Sequence, residues 1–338
     1  MQIDTPYYED LTRISNSNIG WFLQKGPAYL HKMLTNPPPE EKNPVLERGS
    51  MIHMFILQPE EFQKTYVVWD KSRPSSAQQE KFCQELANTV EIEPDKAVLS
   101  AYKAAYSTAG KSDKTILSEG LKIASTLKDY IDFLKLHDGR IMITPWDAKM
   151  LEKIKYNIQS HKLAWRIINT QGTVYESIDS NKRAEWGAHE FHINWSYENK
   201  IQCKSLLDGL TLDFENKKAI IYDLKTTQKL WHFEDSIKTY DYLRQLDYYS
   251  MAVRWYLVNE YGITADEIFE WKFEYYIIGI DTTGSYEIRV FKIEQEDVSS
   301  RDETILTTLD RIAWHQSTGK WDHSREYYEG DGSEELKL

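Results

Sequence analysis

The stretch AIIYDLKTT, residues 219–227, sets Asp223 two positions before Lys225 in an apolar, β-branched surrounding. In a strand, residues two apart share a face, so the two charges point the same way as Ile221, while Ile220, Tyr222 and Leu224 take the other side. An isolated D-x-K of this kind is most often a solvated ion pair on an edge strand. A second acid changes the reading. IQCKSLLDGL ends near Asp208, and the polar turn DFENKK joins it to the next strand, so a hairpin lays Asp208 beside Asp223. Two carboxylates that converge without a fixed counter-charge repel, so one takes up a proton or both bind a cation. Such oxygen ligands suit Mg²⁺, which favours one or two carboxylates with water and substrate phosphate.

Two further groups bear on this site. In RQLDYYS, Gln245 and Tyr249 are four apart and share one helix face, which Tyr242 extends by three. In RGSMIHMF, Gly49 lies one turn before His53, and a glycine there lets another segment approach the helix closely. A zinc site from His189, His192 and Cys203 is disfavoured, because histidines three apart in a strand face opposite ways.

These residues need elements to position them. ISNSNIGWFLQKGPAYLHKML reads as a helix with Ser15 or Ser17 as N-cap and an interruption at Gly26-Pro27. NPPPEEKNP is a connector, and VLERGSMIHMFILQPEEF is a second amphipathic helix stopped near Pro59. Residues 75–134 are helical and polar, with breaks near Glu93-Pro94 and Gly110, and helical spacing returns over 146–168. GAHEFHINW, KIQCKSLLDGL, KAIIYDLKTT, WKFEYYIIGID and YEIRVFKI are strand-like, with one long helix over 235–260 between the third and fourth. The pattern predicts an α/β (α+β) fold and a single unit over 1–322: a mainly helical part, 1–168, a strand-rich part, 169–322, and a frayed acidic tail, 323–338.

Bulk properties narrow the function. The 338 residues are enough for a well-buried core, and 41% hydrophobic with 28% charged content is ordinary for a globular chain. No apolar run approaches the roughly 18 residues of a membrane span, and the polar start MQIDTPYYED reads against a signal peptide, so a cytoplasmic protein is expected. Two cysteines, Cys83 and Cys203, cannot supply the four thiolates of an iron–sulfur cluster. A net charge of −12 argues against a general polyanion binder, although metal-binding acids add to it and a local basic groove can still hold DNA. No G-x-x-x-x-G-K-[ST] or G-x-S-x-G stretch is present, so neither a nucleotide-driven motor nor a serine hydrolase is expected. Most of the 22 tyrosines and 11 tryptophans fall on apolar periodicities and read as core before base-stacking platforms.

Taken in order, Gly49 and His53, Glu190 in HEFHINW, Asp208, Asp223-Leu224-Lys225 and Gln245-x-x-x-Tyr249 resemble the PD-(D/E)xK nuclease superfamily. More narrowly they resemble its RecB-like branch and the RecE-type exonuclease of prophage recombination. ISNSNIGWFLQKGPAYLHK and RGSMIHMFILQPEEF also resemble that domain, and the likeness spans roughly residues 13–320. One departure is Ser205-Leu206-Leu207 before Asp208, where relatives commonly have an arginine and a proline. The upstream glutamate could be Glu190, Glu185 or Glu176; Glu190 is favoured because GAHEFHINW reads best as a strand.

The resemblance implies a restriction-endonuclease-like core, a mixed central sheet flanked by helices, and phosphodiester hydrolysis. It implies Mg²⁺, with Mn²⁺ as a substitute, held by Asp208, Asp223 and the Leu224 carbonyl, with His53 and Glu190 completing the shell. Lys225 would position the attacking water and stabilise developing charge, Gln245 would orient it, and Tyr249 would line the strand path or bond a ligand. Arg48, Lys204 and Lys229 border the site and could contact phosphates. The resemblance further implies a 5′→3′ exonuclease on linear duplex ends, a RecT-like annealing partner, a ring-shaped homo-oligomer and a bacterial, phage or prophage origin. The alternatives are an endonuclease or single-strand nuclease of defence or CRISPR adaptation, and a non-catalytic DNA-binding scaffold on the same fold.

Overall fold

A computed structural model describes residues 6–39, 43–90, 93–136, 139–169, 175–176 and 183–333. In chain order these form α1 (Asn16–Thr35), α2 (Pro44–Leu57), α3 (Pro59–Thr65), β1 (Tyr66–Val68), α4 (Ala77–Asn88), α5 (Pro94–Ala105), α6 (Asp113–Thr126), α7 (Lys128–Lys135) and β2 (Ile141–Ile143). There follow α8 (Pro145–Ser160), α9 (Lys162–Ile168), β3 (Tyr175–Glu176), β4 (Arg183–Tyr197), β5 (Ile201–Asp213) and β6 (Lys218–Thr227). The chain continues through a 3₁₀ turn (Leu230–His232) and α10 (Phe233–Tyr240) into α11 (Tyr242–Tyr261), α12 (Ala265–Ile268), β7 (Lys272–Asp281) and β8 (Ile288–Ile293). It closes with α13 (Gln295–Ser299), α14 (Asp302–Thr318) and α15 (Arg325–Glu329).

Where one unit over 1–322 is expected, the chain divides into two: residues 1–59 with 151–338, and residues 60–150. Each has its own apolar cluster, which is the physical basis of the division. In the inserted unit, Phe82, Cys83, Val98, Ala101, Tyr102, Ile116, Leu127 and Ile131 pack together, and β1 pairs with β2 in parallel. The expected helical half is therefore split, because α1 belongs with the strands: Ile19, Phe22 and Leu30 share a core with Leu210, Leu212, Ile221 and Leu246.

The larger unit is built on a mixed sheet in the order β3-β4-β5-β6-β7-β8, in which β6 and β7 are parallel and the other neighbours antiparallel. A parallel pair needs a crossover, and the helices between β6 and β7 supply it. Ser15 caps α1 through a capping box with Asn18, and Gly26, at φ 81°, kinks the helix before Pro27. The long helix expected over 235–260 is two helices, α10 and α11, because Asp241 adopts φ 49°, ψ 54°. Within the segment expected as a frayed tail, Arg325–Glu329 form the short helix α15, capped by Ser324, and residues 334–338 lie outside the described residues.

Among the described residues, no helix is long and apolar enough to cross a membrane.

Candidate metal and phosphate site

The site lies where two neighbouring strands part. The β5–β6 hairpin is tied at its turn by Asp213, whose carboxylate accepts from the Asn216 backbone at 3.0 Å and from its side chain at 2.7 Å. Pairing runs from Asp213↔Lys218 to Gly209↔Tyr222 and stops there, while β6 continues alongside β7 to Thr227. Gly209 is required at the last rung, because a Cβ on it would lie 2.0 Å from the fully buried Tyr222 ring. One residue further on, the Asp208 carboxylate takes the Leu224 backbone N–H at 2.6 Å. The register thus sets Asp208 opposite Asp223, as the hairpin reading expects.

Asp223 is 2% exposed. Its Oδ1 accepts from Gln245 Nε2 at 3.0 Å, and its Oδ2 lies 2.7 Å from Lys225 Nζ. Gln245 also accepts from Lys225 Nζ at 3.1 Å and donates to the Tyr249 hydroxyl at 2.8 Å. The i, i+4 spacing on α11 therefore makes Gln245 a bridge over the strand acids, with Tyr249, 7% exposed, as its buttress and not a solvent-facing liner. Lys225 Nζ also sits 4.8 Å from the centroid of the Tyr242 ring, a cation–π contact.

His53 comes from α2, which approaches β6 through Gly49; a Cβ there would stand 3.2 Å from Thr226 Oγ1. His53 Nδ1 is 3.6 Å from Asp208 Oδ2. Glu190 reaches the same place from β4. It has φ 45° inside a strand whose pairing with β5 is interrupted at that residue alone between His189↔Gly209 and Phe191↔Leu207. A left-handed non-glycine residue in a strand is strained by about 1–3 kcal/mol and is held there by its surroundings. Ligand atoms of His53, Glu190 and Asp208 all lie within 4.8 Å of one another. The side chains of Glu176 and Glu185, the alternative glutamates, lie outside the described residues.

The electrostatics are those of a site crowded with like charge. Burial, reinforced by Asp208 and Asp223, pushes the Glu190 carboxyl up to about 7. Asp223 is pushed up to about 6 by burial, opposed by Lys225 and aided by Asp208, and burial also raises Asp208. Burial and then the Lys225 charge push His53 down to about 4, so at neutral pH its imidazole offers a lone pair and no charge. Burial pulls Lys225 down, but Asp223 and Asp208 outweigh it and the ammonium is stabilised. Neutral nitrogen and converging carboxylate oxygens fit a hard to borderline divalent cation such as Mg²⁺ or Mn²⁺.

Other expected residues fall elsewhere. Lys204 is 5% exposed, donates to the carbonyls of Tyr7 and Asp10, and lies over the Tyr7 ring, so it pins the N-terminal segment and does not face a phosphate. Arg48 and Lys229 are exposed, on α2 and just beyond β6. His189 places its ring nitrogens 2.9 Å from the Leu57 carbonyl and 3.2 Å from that of Ile168, a packing role. Neither alternation nor helical spacing marks Thr226, Tyr240 or the backbone of Glu190; of these features only the close approach at Gly49 carries a sequence signal.

No family model and no curated protein sequence matches this chain. Among solved structures, the 2.19 Å crystal structure of a "Putative exonuclease" from Eubacterium rectale is similar at a TM-score of 0.47 and 12% identity, covering 100% of this chain and 96% of that one. Likeness of that extent leaves the chemistry to be argued from the site itself.

Proposed function

We propose that this chain is a metal-dependent deoxyribonuclease on a PD-(D/E)xK core, a RecE-like exonuclease that resects linear duplex DNA 5′→3′. The observation that supports this reading is the meeting of two groups where β5 and β6 part: the His53–Glu190–Asp208 ligand set and the Asp223–Lys225–Gln245 network. His53, Glu190 and Asp208, with Asp223 and the Leu224 carbonyl, would hold the cation. When bound, Mg²⁺ or Mn²⁺ supplies charge relief on the phosphate oxygens and lowers the pKa of water. Lys225, braced by Asp223 and Gln245, keeps its ammonium aimed at the site, where it orients the attacking water and stabilises negative charge developing on phosphorus-bound oxygen. Gln245 fixes that ammonium because its amide bonds three partners at once, which leaves it little rotational freedom.

Hydrolysis of end-labelled linear duplex tests the proposal, with a covalently closed circle as comparison. With Mg²⁺ or Mn²⁺, the wild type releases a 5′ label before a 3′ label and leaves the circle intact. Asp223→Asn and Lys225→Ala each lower the rate by about 10²–10³-fold. Hydrolysis that survives both substitutions, or none under any metal, overturns the reading; cleavage of the circle makes it an endonuclease. A homo-oligomeric ring and a RecT-like annealing partner belong to the same proposal and are tested by solution mass and co-purification.

A further inference from the structure

Between β6, which carries Asp223 and Lys225, and α11, which carries Gln245 and Tyr249, the chain makes a corner at Asp241. In a continuous helix Tyr240 and Tyr242 would project roughly 200° apart and could not touch. They are instead stacked, with ring centroids 5.7 Å apart and planes at 21°, because Asp241 takes the left-handed conformation. That conformation costs about 1–2 kcal/mol for a residue other than glycine. It is held by the Asp241 carboxylate, which accepts from Arg301 Nε at 2.8 Å and lies 3.3 Å from Arg244 Nη1.

The two rings differ in environment. Tyr242 is partly buried, tilted against Phe233 at 6.0 Å on one side and approached by Lys225 Nζ at 4.8 Å. Tyr240 is 63% exposed, so most of its ring lies open to solvent. A continuous line of π-surface therefore runs from the ammonium of the site to an open tyrosine face. In the same connection Trp231 is 73% exposed, with the Arg289 guanidinium 3.3 Å from its ring centroid. An exposed aromatic connected through Tyr242 to the Lys225 ammonium matches the two parts of a nucleotide: a base with a π-face and an adjoining anionic phosphate.

We propose that Tyr240, backed by Tyr242, is a stacking platform for a nucleobase of the nucleic-acid strand whose phosphate lies at Lys225. The proposal takes the identity of its ligand from the nuclease reading. The platform reads no sequence, since every base presents a π-face, and it holds the strand in register with Lys225 because both contact the same Tyr242 ring.

The test is binding of a labelled duplex with a single-stranded overhang, with Ca²⁺ in place of Mg²⁺ or Mn²⁺ so that the carboxylates are neutralised but the strand is not hydrolysed, to wild type, Tyr240→Ala and Tyr240→Phe. Tyr240→Ala weakens binding by about 5- to 100-fold, whereas Tyr240→Phe keeps it. An abasic-site scan of the oligonucleotide finds one position at which losing the base weakens wild-type binding but leaves Tyr240→Ala unaffected. Unchanged affinity in Tyr240→Ala, or an abasic penalty equal in the two proteins, overturns the platform. A wild type that binds in this Tyr240-dependent manner but never hydrolyses DNA leaves the platform standing and removes the nuclease; one that binds no DNA removes both.

Discussion

The Asp208 carboxylate receives the Leu224 backbone N–H at 2.6 Å, one residue beyond the last paired rung of the β5–β6 hairpin. A side chain here takes the place of a strand partner. The bond fixes Asp208 opposite Asp223 beyond the last paired rung, with ligand atoms of His53 and Glu190 within 4.8 Å of one of its own. Crowding of these carboxylates raises the free energy of the metal-free protein, and a divalent cation would relieve it.

That relief is measurable as heat stability. Titrating metal-free protein with Mg²⁺ or Mn²⁺ raises the melting temperature, by an amount equivalent to about 2.7 kcal/mol at one hundred times the dissociation constant. Glu190→Gln binds the ion at least about tenfold more weakly. Without metal the same variant is more stable than wild type, since it loses a buried acid that Asp208 and Asp223 already disfavour. Equal metal shifts in both proteins would remove Glu190 from the ligand set.

Gly209→Ala tests the hairpin. The new methyl would meet the Tyr222 ring at 2.0 Å, and a fully buried ring has nowhere to swing. A loss of at least about 1–3 kcal/mol is expected from denaturant midpoints, and adding Tyr222→Leu should recover part of it.

Lys204→Met separates a structural lysine from a phosphate contact. Removing the ammonium strands the Tyr7 and Asp10 carbonyls and should cost about 1–3 kcal/mol of stability. The salt dependence of DNA binding should stay as in wild type. A slope smaller by about one would restore Lys204 to the interface.

Asp247 provides a pH signature away from the ligand set. It is 3% exposed, and burial, then the neighbouring Asp302 carboxylate, pushes its pKa up to about 8, with Arg254 opposing. The folded protein keeps a proton that the unfolded chain releases near the ordinary aspartate value of about 4. The contribution of Asp247 to stability is therefore fully present below pH 4 and falls as pH rises toward 8. Asp247→Asn should flatten that slope and exceed wild type in urea midpoint at pH 9, while the two proteins differ little near pH 3, where the unfolded aspartate is also protonated.

Much of the site was legible because strand and helix periods are local. Alternation along 219–227 set Asp223 and Lys225 on one face, the short turn before Lys218 set Asp208 opposite, and i, i+4 spacing joined Gln245 to Tyr249. These follow from backbone geometry within a few residues of each position. The fate of Lys204 did not follow, because its alternation does not reveal that residues 7 and 10 would return to cover it. Nor did the break at Asp241: 235–260 reads as one helix, and only the two arginines that meet the carboxylate make the left-handed turn tenable. The twist at Glu190 and the separate core of residues 60–150 likewise depend on contacts between distant segments. The order of residues determined which chemical groups are available and which faces they share. Folding in three dimensions decided which of them are buried, strained or brought within reach of a cation, because burial and strain are set by whatever packs across from a residue.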